Sequence, residues 1–312
     1  MGLEVLYWEP FLASLRHALG IADERIIPLT RSASHVWYRA PKAVEIYGMR
    51  EVREVRVENR LRAARTGMIK QMAVAPFDRG IYTDAAQTLG LEQFLTLHPA
   101  WMYQTLQPFW NGQTGLSWTE GRLRFAPLPR PEIPMALPEK FVAVSFYARS
   151  TWEASATTAA FAKEAIQLIA KQIPVVLLST SLHMDDHVDF LPHPLPENVT
   201  VLANLFPCTP QNSLAAMACV LSKAMAFVGT YGGLSHLALR YGVPSVNLYT
   251  KWQGIMLAHK TLSDALAIQT GVPYHVLQMD QIPWIQDTIP KIVIQARGSS
   301  AKKDVAPVPQ MV

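Results

Sequence analysis

The sequence predicts an α/β fold in two parts, and three observations predict it. Short continuous apolar runs alternate with amphipathic stretches through residues 139 to 250. A proline-dense run from Phe125 to Pro138 interrupts the chain before them. A glycine-rich turn, at Gly229, Gly232 and Gly233, joins one of the apolar runs to a helix-like stretch. Continuous apolar strands alternating with helices call for a parallel sheet covered on both faces. Ligands of such sheets bind outside the carboxyl ends of the strands.

The elements follow in order. Pro10, with Phe11, Leu12, Leu15 and Leu19 at helical spacing, predicts a helix over 10–19 that Gly20 ends. Arg25 to Leu29 reads as a strand, and Ala73 to Pro76 as another short apolar run. Thr83 to Leu89 reads as a helix closed by Gly90. Arg50 to Arg65, with Glu51, Glu54 and Glu58 interleaved, reads as a solvated helical face. The aromatic segment 99–111 reads as a core stripe ahead of a binding surface. This pattern suggests βα units through the first 125 residues. Pro127, Pro129, Pro131, Pro134 and Pro138 bar helix and central strand, so 126–138 is expected to be a semi-rigid linker.

Beyond the linker, strands are predicted at 141–146, 175–179, 199–203, 226–228 and 245–248. Helices are predicted at 159–171, 211–222 and 234–241. Residues 139–297 form the second domain, and 298–312 are expected to be a disordered tail.

Composition narrows the function. The 312 residues are 50% hydrophobic and 17% charged, which excludes a largely disordered chain. The net charge of +4 hints at an anionic partner, but Lys and Arg are spread along the chain and no nucleic-acid-binding module is present. Only Cys208 and Cys219 occur, which excludes a disulfide scaffold and fits a reducing compartment. Neither sits in a catalytic context, and no nucleophile elbow is present. No secretory signal pattern opens the chain, and no apolar run approaches the roughly 20 residues of a membrane span. A cytoplasmic protein without a transmembrane segment is therefore expected, compatible with peripheral membrane contact.

The turn from Ala226 to Tyr241 carries the chemistry. Its glycines let the backbone approach a ligand, and the amides at a helix start favour an anion such as a diphosphate. Thr230, Ser235 and His236 add side-chain donors, and Tyr231 either stacks on a base or covers the loop. The glycine spacing fits neither a Walker loop nor the dinucleotide fingerprint. A second cluster, His183, Asp185, Asp186 and His187, invites a metal reading. It lacks a third ligand at motif spacing, so no metal is expected.

The segment Gly229 to Ala238 (GTYGGLSHLA), followed by Tyr241 to Ser245 (YGVPS), resembles the donor-site segment of GT-B glycosyltransferases. The likeness is strongest to a bacterial group akin to the lipopolysaccharide heptosyltransferases. Segments at 98–103, 108–110, 141–147, 175–180, 182–190 and 209–214 resemble further parts of that family in order. The resemblance implies a GT-B-like fold of two Rossmann-like domains with parallel sheets. It implies transfer of a sugar from a nucleotide-diphosphate sugar to a glycan or lipid-linked acceptor in cell-surface polysaccharide or glycoconjugate assembly, with no further cofactor.

It also implies a donor site at Ser145, Tyr147, Arg149, Thr180, Asp186, Thr209, Asn212, Gly229, Thr230, Tyr231, Gly232, Gly233, Ser235 and His236. Ser145 stands where relatives often carry Lys, and Arg149 is the expected substitute because its fork suits phosphate oxygens. Residues 1–125 form the acceptor side, apparently shortened by its opening strand. Glu9, expected just before the first helix on the interdomain side, is the candidate catalytic base, ahead of Glu4 and Asp78. Two alternatives remain: a non-catalytic nucleotide-sugar-binding or scaffold protein, and a GT-B-fold sugar-nucleotide epimerase.

Overall fold

The computed structural model describes residues 2–66, 72–149, 151–184 and 187–279. The expected tail at 298–312 lies outside them. The chain is α/β, with a six-stranded parallel sheet flanked by helices. Among the described residues, no helix is long and apolar enough to cross a membrane.

The amino-terminal part is mostly helical. Residues 2–19 run as one helix that includes a π-turn at Glu4–Trp8 and then α1 (Glu9–Leu19), closed by Gly20 in the left-handed conformation. Pro10 has no N–H to give, and its ring crowds the carbonyl one turn back. The turn widens just ahead of it, with Glu9 N–H reaching back to the Glu4 carbonyl. Two short strands, β1 (Leu29–Thr30) and β2 (Val44–Glu45), pair in parallel. Then come α2 (Val52–Thr66), α3 (Pro76–Leu89) and α4 (Ala100–Trp110).

This differs from the expected βα alternation. Ala73 to Pro76 makes no strand, because Pro76 starts α3 and the Asp78 carboxylate accepts from Ala75 N–H at 2.8 Å. Asp23–Arg25 is a 3-10 turn, so the strand expected at 25–29 begins only at Leu29. The aromatic segment is core: Met102, Tyr103, Leu106, Phe109 and Trp110 pack on Leu6, Tyr7 and Phe11, while Trp101 is exposed.

The second part holds the sheet. Its strands are β3 (Val142–Ser145), β5 (Val175–Leu177), β7 (Val199–Val201), β8 (Ala226–Thr230), β9 (Ser245–Tyr249) and β10 (Tyr274–Gln278). A separate antiparallel pair joins β4 (Tyr147–Ala148) to β6 (Val188–Asp189). The helices are α5 (Ala156–Ala170), the single turn α6 (Leu202–Leu205), α7 (Ser213–Lys223), α8 (Gly233–Arg240) and α9 (Gly254–Thr270). Side chains alternate across the strands as the pleat requires. Val142 and Val144 meet Phe161, Ile166 and Ile169 of α5 on one face. Phe141 and Ala143 meet Ala216 and Val220 of α7 and Leu237 of α8 on the other.

The linker segment has neither helix nor strand. It lies along the α7 and α8 face, with Leu128 buried there and Arg130 donating to the Tyr241 carbonyl.

The sheet order is β7-β5-β3-β8-β9-β10. Counted in chain order within this part, that is the doubly wound order 3-2-1-4-5-6. The order reverses between β3 and β8, so the crevice of such a sheet opens at their carboxyl ends, Ser145 and Thr230.

Candidate functional site

The glycine turn sits at this reversal. Ser145 pairs with Gly229 across β3 and β8, and a Cβ on Gly229 would collide with the Ser145 carbonyl and stand 2.8 Å from the Phe227 ring. Thr230 Oγ1 accepts from Tyr147 N–H at 3.1 Å, which turns the chain after β3 back over the loop. The Tyr147 hydroxyl lies against Gly232, where a Cβ would meet it directly. Ser235 Oγ donates to the Gly232 carbonyl at 2.6 Å and accepts from Gly232 N–H at 3.0 Å, fixing the turn into α8.

The amino-terminal helix meets this turn at Gly2. A Cβ on Gly2 would lie 3.2 Å from Gly233 Cα and 3.5 Å from His236 Cδ2. The first amides of α8 carry partial positive charge. Such a helix start favours an anion.

Behind it lies a buried polar cluster. His236 Nδ1 is 3.2 Å from Ser263 Oγ and 3.3 Å from the Tyr274 hydroxyl. The Tyr231 ring stands edge-on to His236 at 5.3 Å and is 2% exposed, so of its two expected uses the structure shows cover. The Tyr7 hydroxyl lies 2.8 Å from His259 Nδ1. Burial pushes the pKa of Tyr7, Tyr231 and Tyr274 well up, so all three phenols stay protonated. Sequence reasoning missed Tyr7, His259, Ser263 and Tyr274. The signal for His259 and Ser263 was their spacing of four on an apolar-periodic stretch ended by Gly271.

On the open side, exposed Arg149 reaches His187 Nε2 at 2.7 Å, and the His187 ring lies 4.6 Å from that of Tyr147. Ser145, Tyr147, Gly229, Thr230, Tyr231, Gly232, Gly233, Ser235 and His236 therefore gather at the crevice, with Arg149 linked to it through His187 and Tyr147. Thr180 follows β5 and is half-buried. Thr209 and Asn212 are engaged in their own loop, where Asn212 Oδ1 accepts from Thr209 N–H at 2.8 Å and Nδ2 donates to the Pro207 carbonyl at 3.2 Å. Asp185 and Asp186 lie outside the described residues. Among those described, no group of three or more His, Cys, Asp or Glu could hold a metal ion.

Glu9 is placed differently from the expectation. It lies inside the amino-terminal helix, not before it, because the π-turn carries the helix back past Pro10. Its Oε2 is 2.7 Å from Arg240 Nη2, and Arg240 also donates to the carbonyls of Val5 and Ala126. The Glu9 carboxylate is thus engaged by a buried guanidinium. Glu4 accepts from Ser34 Oγ at 2.8 Å and from the Tyr38 hydroxyl at 3.0 Å.

Asp78 ties α2, α3 and the start of α4 together, at 2.7 Å from Arg62 Nη2 and 3.4 Å from His98 Nε2. Burial alone would raise its pKa, but the hydrogen bonds from His98, Arg62 and Ala75 N–H outweigh it and hold the pKa below the usual range. A depressed folded-state pKa contributes stability that is present above about pH 4 and lost as pH falls through the folded value. Asp78→Asn is expected to lose about 2 kcal/mol at neutral pH and to flatten the acid limb of stability. Urea midpoints measured from neutral pH down to acid check this.

Strand order and crevice together define a doubly wound α/β protein. No family model matches the chain, and no curated protein matches it. Solved structures that it overlaps include the glycotransferase of kitacinnamycin, at 21% identity over 54% of this chain and 39% of that one, with a TM-score of 0.30. Another is the glycosyltransferase SnogD from Streptomyces nogalater, at 16% identity over 64% of this chain and 52% of that one, with a TM-score of 0.29. The chain thus spans about two fifths to one half of those proteins. Overlaps this loose carry no weight for activity.

Proposed function

We propose that the chain is a glycosyltransferase of GT-B type, akin to the heptosyltransferase-like group, that takes its sugar from a nucleotide-diphosphate donor. The observation that carries this reading is the glycine turn at the β3/β8 reversal, where α8 begins. The donor diphosphate would sit on the amides of Gly233 and its neighbours, beside His236, with Arg149 toward the open side. Residues 139–297 would form the donor side and residues 1–125 the acceptor side, at the cytoplasmic face of cell-surface glycan assembly.

The chemistry follows from that placement. An acceptor hydroxyl attacks the anomeric carbon, the bond from that carbon to the diphosphate oxygen breaks, and the electron pair leaves on the nucleoside diphosphate. Amides and His236 would stabilise the departing charge in a site of low dielectric, the usual role of preorganised donors. The acceptor proton would pass to the departing diphosphate oxygen, so that atoms and charge balance.

A second reading has its own observation. Glu9, Glu4 and Asp78, the three candidate carboxylates, are each held by hydrogen bonds or an ion pair. That favours a protein that binds nucleotide sugar without turning it over.

Titration calorimetry with UDP, ADP, GDP, CDP and dTDP tests the donor site. One of them is expected to bind, and Gly232→Val is expected to weaken it at least about 100-fold, because the side chain displaces the Tyr147 hydroxyl and narrows the crevice. If none binds, the donor reading fails. Binding without transfer or donor hydrolysis selects the second reading.

A further inference from the structure

Ser32 and Ala33 are consecutive left-handed residues, at φ 59° and 58°, and neither is glycine. Such backbone is costly for a residue with a Cβ and persists only where its surroundings hold it. Glu45, on β2, supplies the hold. Its Oε1 accepts from Ser32 N–H at 2.9 Å and its Oε2 from Ala33 N–H at 2.8 Å, so two successive amides cradle one carboxylate. Oε1 also accepts from Tyr47 N–H at 3.1 Å. On its other side, Ser32 offers its carbonyl to the first turn of α7, accepting from Leu214 N–H at 3.1 Å and from Ala215 N–H at 3.2 Å. A helix start needs acceptors for its first amides. Asn212, at the N-cap position, supplies none, because its side chain is turned to Thr209 N–H and to the Pro207 carbonyl. The cap of α7 is therefore borrowed from the amino-terminal part of the chain. Gln211 Nε2 adds a second bond between the same two regions, donating to the Tyr47 carbonyl at 3.0 Å.

We infer that Glu45 is the lock of a strap between the two parts of the chain: its carboxylate keeps Ser32 and Ala33 left-handed, and that geometry keeps the Ser32 carbonyl on the α7 amides. The coupling runs through one residue. Ser32 gives its N–H to the carboxylate and its C=O to α7, and its own φ and ψ set the direction of the second relative to the first. Without the carboxylate, Ser32 and Ala33 relax toward the right-handed or extended regions that residues with a Cβ prefer. That swings the carbonyl off α7 and leaves the Leu214 and Ala215 amides to water. The strap is independent of the donor site proposed above.

Hydrogen exchange of the full 15N-labelled chain, read by NMR at neutral pH without ligand, tests the strap. In Glu45→Ala the Leu214 and Ala215 amides are expected to exchange about tenfold faster or more, although the side chain removed is bonded to Ser32, Ala33 and Tyr47. The amides of Val144 and Val228, paired at the centre of the sheet, are expected to change less than about twofold. Glu45→Gln keeps the length of the side chain but only one acceptor oxygen, so a smaller rise of about threefold at Leu214 and Ala215 is expected. This milder variant carries the test if alanine prevents folding. Leu214 and Ala215 exchange unchanged from the wild type in the folded variants overturns the inference. So does an equal rise at Val144 and Val228, which would mean that the whole fold has loosened and that Glu45 locks no strap.

Discussion

Arg240→Ala is expected to lower folding stability by about 4 kcal/mol. Its side chain is 2% exposed, and its guanidinium donates to Glu9, to the Ala126 carbonyl and to the Val5 carbonyl, while lying 5.1 Å from the Phe125 ring centre. One side chain on α8 therefore fastens the amino-terminal helix and the start of the linker to the sheet-bearing part. Alanine would leave a largely buried carboxylate and two carbonyls without this donor, and the uncompensated groups dominate the cost. Arg240→Lys keeps the charge but loses the fork, so about half of the loss is expected. Adding Glu9→Ala to Arg240→Ala is expected to recover 1 kcal/mol or more, roughly the coupling of neighbours in one network. Urea midpoints of the four proteins give these values. A loss below about 1 kcal/mol for Arg240→Ala would mean that the two parts are not joined there.

Gly229→Ala is expected to cost about 3 kcal/mol, at the upper end for overpacking in a core. The new methyl group would collide with the Ser145 carbonyl oxygen, stand 3.0 Å from its carbonyl carbon and lie 2.8 Å from the Phe227 ring. Backbone cannot step aside as a flexible side chain can. Ser145 is paired with Gly229 at the centre of the sheet, so relief there opens the ladder between β3 and β8. Gly254, at the first position of α9, has nothing within 4 Å of an added Cβ. Gly254→Ala is the matched control and is expected to be neutral or slightly stabilising. Equal midpoints for the two variants would contradict the close approach.

What the sequence made legible was local. Phe141 to Phe146, Val175 to Ser179 and Ala226 to Val228 read as buried strands because a strand covered on both faces needs unbroken apolar residues. Their order in the sheet was not legible, since the partners of a parallel strand lie far away in the chain. The glycine turn could be read as a ligand loop, but its place at the strand reversal came only with the order. Glu9 misled for a specific reason. Pro10 reads as the first residue of a helix, and nothing in the local pattern announces that a widened turn lets helix precede it. The cluster around His236 was hidden because Tyr7, His259, Ser263 and Tyr274 come from three separate elements.

A nucleoside diphosphate is expected to bind at the carboxyl ends of β3 and β8. Backbone amide mapping by NMR, on the 15N-labelled chain titrated with UDP, ADP, GDP, CDP and dTDP in turn, locates the site directly. One of them is expected to produce its largest shifts at the amides from Gly229 to His236 and at Tyr147, and Gly232→Val to remove them. Shifts confined elsewhere, for instance to the cleft lined by Arg31, Asn59, Arg62 and Phe77 between α2 and α3, would contradict it.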